Sequence, residues 1–161
     1  MTTSAAAPHP ARPWLALLPF LAAVAVVAVV GGLAAGSSSA TYRALDLPPF
    51  APPSWVFGPV WTVLYVMIAV AGWLAWRAGV GPVGVGAWVV QLVLNLAWTP
   101  LFFAADRYGW ALVDIVALLA AIVATIVLFA RASRMAAWLL APYLLWVGFA
   151  TALNTAIVVL N

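Results

Sequence analysis

The side chains in this sequence that could do chemistry are aromatic rings and amides set inside long apolar runs. Gln91, Asn95, Trp98 and Phe102 recur at i, i+4, i+7 and i+11, which puts them on one stripe of a helix. Phe57, Trp61 and Tyr65 make a matching stripe upstream, and Tyr143, Trp146, Ala150 and Asn154 share a face downstream. Three such aromatic-and-amide faces at similar depth can line one pocket. Amides and indole N–H groups supply directional handles. Apolar walls with a few fixed polar groups are the usual makeup of a small-molecule pocket. Other chemistries are excluded. There is no cysteine, hence no disulfide, thiol nucleophile or iron–sulfur site. His9 is the single histidine and precedes the first apolar run, so no His–Asp relay, histidine metal cluster or intramembrane His haem ligand can be built. Six separated arginines against three aspartates give a net charge of +3 and no stripe that could track phosphates, so nucleic acid is not a partner.

The elements that must carry these faces follow from composition. Of 161 residues, 68% are hydrophobic and 6% charged, whereas a soluble domain is ~45–50% apolar and ~25% charged. A globule of this size cannot hide that much apolar surface, which leaves an all-α integral membrane protein in contact with lipid. A bilayer core ~30 Å thick needs ~20 apolar residues in a helix. Five runs qualify, at about 14–35, 55–76, 84–105, 108–130 and 135–160, forming a single five-helix bundle. Stretches such as AVAVVAVV (23–30) are apolar on every face, unlike barrel strands. Residues 1–13 hold three prolines and read as a flexible tail. The first run exceeds the ~7–15 residues of a signal-peptide core, so it reads as a retained helix. The connection 36–54 carries Pro48, Pro49, Pro52 and Pro53, which predict a stiff segment without regular helix. A long braced loop on a compact bundle is usually functional.

Alternating helices place Arg12, Arg77, Arg131 and Arg134 on one side and Arg43 and Arg107 on the other, which orients the N-terminus inside. The polar groups Thr62, Tyr65, Gln91, Asn95, Thr99, Asp114, Thr151 and Asn154 then fall in the half nearest the long loop, here termed the loop face. The other half keeps Thr125 and Tyr143. Gln91 and Thr99 taken singly read as interhelical glue, at ~0.6–2 kcal/mol per contact, and Asp114 as the partner of a backbone amide or an arginine. Trp14, Trp55, Trp76, Trp88, Trp110 and Trp138 lie near segment ends, where interfacial anchoring is the default. Trp61, Trp98 and Trp146 lie deeper. Small-residue faces at Ala28/Gly32/Gly36 and Ala117/Ala121/Thr125 offer surfaces for close helix contact with a second copy.

Three blocks carry a resemblance. LPPFAPPSWVFGPVWTVLY (47–65), QLVLNLAWTPLFF (91–103) and PYLLWVGFATALN (142–154) are similar, in order, to the signature runs of the TspO/MBR family of tryptophan-rich sensory and translocator proteins. The resemblance covers about residues 45–161. It implies a five-helix bundle, usually a homodimer, that binds tetrapyrroles such as protoporphyrin IX or haem in transport or in stress and light-dependent regulation. Carried over by motif position, the pocket residues are Trp61, Asn95, Trp98, Trp146, Ala150 and Asn154, with Phe50 at the loop position that is commonly Trp. Phe57, Tyr65 and Tyr143 join them from the helical spacing. The resemblance also implies an alternative, a light-dependent porphyrin-degrading enzyme in which Trp61 and Trp146 act. A passive carrier or channel for other small apolar molecules is the third reading. TAIVVLN after Asn154 lacks the Tyr and basic residue of the cholesterol-consensus pattern. The Ala/Val/Arg-rich, lysine-free composition points to a bacterial cytoplasmic membrane.

Overall fold

The computed structural model describes residues 13–36 and 38–161. The expected N-terminal tail, with Arg12 and His9, lies outside the described residues apart from Pro13. A 3-10 turn at Pro13–Leu17 leads into α1 (Leu18–Ala34), followed by a short α2 (Ser38–Ala44). A second 3-10 turn, Ser54–Val56, opens α3 (Phe57–Arg77); then come α4 (Gly81–Phe103), α5 (Tyr108–Ala132), α6 (Arg134–Leu139) and α7 (Ala141–Leu160). Among the described residues, five stretches are long and apolar enough to cross a membrane: Trp14–Ala34, Ser54–Arg77, Gly81–Phe103, Tyr108–Ala132 and Arg134–Leu160. The fold is an all-α membrane bundle.

Local chemistry sets the turns. Gly79 and Gly81 take φ of +78° and +75°, a left-handed conformation that glycine adopts without a Cβ penalty, and they reverse the chain between α3 and α4. Asp106 also has positive φ (50°), one of the few non-glycine types that tolerate it, and the Arg107 N–H donates back to the Leu101 carbonyl (2.9 Å) to close α4.

Two expectations need correction here. The long loop contains α2, because its four prolines all lie beyond Leu47 and restrict only its second half. The fifth span is not one rod. It breaks at Leu140, where Pro142 in the first turn of α7 lacks the N–H that would bond back into α6. Ser133 starts α6, its hydroxyl accepting from Ala136 N (3.3 Å).

Packing is tight in the half away from the loop. Small residues Ala69, Ala71, Gly72 and Ala75 on α3 and Ala136 and Ala137 on α6 let the backbones approach. A Cβ added at Gly72 would stand 2.8 Å from the Trp88 ring and 2.9 Å from the Phe20 ring. Trp88 is therefore a core residue rather than an interfacial anchor: it is buried, its Nε1 donates to the Ile68 carbonyl (3.1 Å), and its ring meets Phe20 edge-on at 5.2 Å. Trp14, Trp55, Trp76, Trp110 and Trp138 are exposed, as the belt reading expects. α4 packs most extensively on α5, and α5 on α7, while α3 and α7 barely touch. That missing contact leaves room for a site.

Candidate ligand-binding site

The room is a cavity of about 460 Å³ in the loop-face half, within the range of small-molecule pockets. α3 supplies Phe57, Trp61 and Tyr65; α4 supplies Asn95 and Trp98; α7 supplies Trp146, Ala150 and Asn154. Each group stands at helical spacing on its own element, so the three stripes read from sequence, Gln91 and Tyr143 apart, face one volume. Phe50 and Tyr143 do not line it. Phe50 is exposed and reaches only the edge of Phe149, at 6.3 Å. Tyr143 is fully buried against the cavity wall, its ring 6.1 Å from Trp61.

Two hydrogen-bonded relays hold the walls in position. The Tyr65 hydroxyl donates to Asn95 Oδ1 (3.0 Å), and Asn95 Nδ2 donates to Tyr143 Oη (3.2 Å), tying α3, α4 and α7 at one level. Trp98 Nε1 donates to Asn154 Oδ1 (3.2 Å), and Asn154 Nδ2 donates to the Tyr108 carbonyl (3.2 Å), tying α4, α7 and α5. Each amide therefore uses one N–H and its carbonyl oxygen on neighbouring helices, which orients the cavity walls. Tyr143, expected in the opposite half, thus meets Asn95 at this level.

Other polar groups depart from expectation. Gln91 is buried, but its Nε2 folds back to the Trp88 carbonyl of its own helix (2.9 Å), and its Oε1 has no partner. It joins no second helix. Asp114 Oδ2 is buried without a hydrogen-bond partner, so the expected backbone or arginine contact to that oxygen is absent. Trp146 Nε1 is likewise buried without an acceptor.

The roof is aromatic and fastened. Tyr42 of α2 donates to the Pro52 carbonyl (3.0 Å) and meets Phe57 edge-on at 5.4 Å; burial raises its phenol above the usual value. Phe57 meets Trp146 at 5.9 Å, and Trp146 meets Phe149 at 5.6 Å. Asn161 exchanges two bonds with the Asp46 backbone, accepting from its N–H (3.1 Å) and donating to its carbonyl (3.2 Å), so the loop is tied to the end of α7.

Sequence reasoning missed the wall given by α1. Ala28, Gly31, Gly32, Ala35 and Gly36 line the cavity. The Ala28/Gly32/Gly36 stripe, read as a face for a second copy, thus belongs to the site. The other stripe splits, with Ala117 exposed and Thr125 fully buried and donating to the Ala121 carbonyl (2.7 Å). Thr99 was also missed as a lining residue, and the 3.6 Å from its Oγ1 to a Cβ placed at Gly31 explains how closely α1 and α4 approach there.

Fold and site together define an integral membrane helical bundle with an aromatic-lined cavity in the half nearest the loop. The sequence profile of the TspO/MBR family matches residues 20–160, and the chain belongs to that family. The human translocator protein is 39% identical over 150 residues, covering 89% of each chain. The tryptophan-rich protein TspO of Chlorobaculum tepidum is 45% identical over 126 residues, covering 74% of this chain and 78% of its own. The tryptophan-rich sensory protein of Cereibacter sphaeroides is 34% identical over 149 residues, covering 92% of each.

Proposed function

We propose that this chain binds a tetrapyrrole, protoporphyrin IX or haem, in the loop-face cavity, and acts in porphyrin transport or in stress and light-dependent regulation. The observation that carries the reading is the convergence of Trp61, Trp98 and Trp146 on one cavity, in a half of the bundle where α3 and α7 stand apart. A tetrapyrrole is a wide π-system, and three indoles offer it stacking surface from three helices. With both cavity amides engaged in relays, recognition rests on ring faces more than on hydrogen bonds. The proposal includes a bacterial cytoplasmic membrane, the N-terminus inside, and a homodimer. The test is a ligand titration of detergent-purified protein by tryptophan quenching in the dark: saturable quenching by protoporphyrin IX or haem supports the reading, and none from either refutes it.

A second reading, light-dependent porphyrin degradation, is favoured by Trp61 and Trp146 standing together at the cavity, since indoles are the side chains there that donate an electron most readily. The same titration under illumination separates the two. Consumption of porphyrin in light and not in darkness requires the enzyme, and a stable complex in light excludes it.

A further inference from the structure

The cavity is not closed on all sides. Among its lining residues, those exposed are Gly32 and Gly36 on or just beyond α1 and Gly58 and Thr62 on α3. The remaining lining residues are buried or half-buried, including Tyr42 and Ser54 beneath the loop. The opening therefore lies between α1 and α3.

The helix contacts explain why the gap is there. α1 and α3 run antiparallel and meet tightly at Phe20 and Gly72 in the far half. Climbing α1 from Phe20 to Gly32, and retreating along α3 from Gly72 to Val60, reaches the same level, with Gly58 and Thr62 beside it. There α1 leans on α4 instead, through Gly31 and Thr99, and a Cβ at Gly32 or at Gly58 would meet nothing within 4 Å. The gap also has an apolar rim. The Thr62 hydroxyl donates to the Gly58 carbonyl of its own helix (2.9 Å), so among the described exposed lining residues no polar side chain is left free at the opening. The roof, by contrast, is held by the Tyr42–Pro52 bond and the paired Asp46–Asn161 bonds. Both edges of the gap belong to segments apolar enough to span a membrane.

We propose that the cavity fills sideways from the bilayer, through a slot between α1 and α3 edged by Gly32 and Gly58, and that this slot admits flat, lipid-dissolved ligands. Glycine on both edges keeps the slot free of side chains, which suits a planar ring system sliding in edge-first. The proposal deepens the ligand reading given above, but its test does not require a porphyrin.

The chain has no cysteine, so Ala150→Cys places a single thiol in the cavity. In nanodiscs this thiol is offered either pyrenylmaleimide, which is flat and partitions into lipid, or a sulfonated, membrane-impermeant maleimide. Pyrenylmaleimide is expected to react much the faster, and Gly32→Leu with Gly58→Leu to slow it at least tenfold. Gly109→Leu, a site with equal open space outside this cavity, leaves the rate unchanged. A rate unaffected by the leucine pair, or faster labelling by the impermeant reagent, overturns the slot. A second measurement needs no change at the slot. Lipids brominated at mid-acyl depth should quench the emission that Trp61→Phe removes, and absence of that quenching overturns the proposal as well. Failure of protoporphyrin IX and haem to bind the unsubstituted chain removes the ligand reading alone and leaves these two results to stand or fall separately.

Discussion

The two halves of this bundle are built from the same helices and solve opposite problems. Away from the loop, alanine and glycine bring α3 against α1 and α6, and Trp88 of α4 fills the space over Gly72 with its N–H bonded to a backbone carbonyl. On the loop side, α3 parts from α7 and the indoles stand around a cavity instead of filling a core. Polar groups follow the same division. Asn95 ties α3 to α4 and α7, on which α3 packs little, and Asn154 ties α4 to α7 and α5 around the cavity. The contrast teaches that a tryptophan's role depends on what faces it: opposite glycine it becomes packing, and opposite a gap it becomes a wall.

Adding bulk should break one half and spare the other. Gly72→Leu is expected to have the largest effect, because even its first carbon collides with two rings; overpacking costs about 1–3 kcal/mol and often more, so a marked fall in thermal midpoint in detergent is expected. Ala150→Leu has room, and the fold should keep its midpoint or gain slightly. The same change should weaken protoporphyrin IX binding at least tenfold by occupying ligand space, measured by tryptophan quenching. A cavity variant that unfolds, or a Gly72→Leu protein of unchanged midpoint, would erase the distinction.

The amides sharpen the comparison on a smaller scale. Asn95→Leu strands the hydroxyls of Tyr65 and Tyr143 and should cost about 1–3 kcal/mol, the penalty of leaving buried polar groups unpaired. Gln91→Leu removes an amide bonded only to its own helix and carrying an orphaned oxygen, so it should be nearly neutral. Equal losses from the two substitutions, in thermal unfolding followed by tryptophan emission, would mean the relay through Asn95 contributes nothing.

Much of this was legible in the sequence because periodicity fixes faces. The stripes Phe57–Trp61–Tyr65 and Trp146–Ala150–Asn154 needed only 3.6-residue spacing to be placed together on their helices. Trp88 was misread because position along a span says nothing about which side of the helix meets a neighbour, and its signal was the glycine at position 72 of another helix. α1 was missed because a run apolar on all faces carries no stripe, so the glycines that line the cavity resembled a packing motif. α2 was not legible because the prolines that mark the loop lie after Leu47 and restrict only its second half. The fate of Gln91 depended on a side-chain rotamer, which no spacing encodes.

The central claim is that the cavity tryptophans, and not the belt tryptophans, meet the ligand. The direct measurement is protoporphyrin IX affinity, taken in the dark, for Trp61→Phe, Trp146→Phe and Trp14→Phe. Each cavity substitution should weaken binding by about 1 kcal/mol, roughly fivefold, on the stacking scale, while Trp14→Phe at the exposed end of the first span should change nothing. Equal loss from Trp14→Phe and Trp146→Phe, or no loss from either cavity tryptophan, would contradict the account.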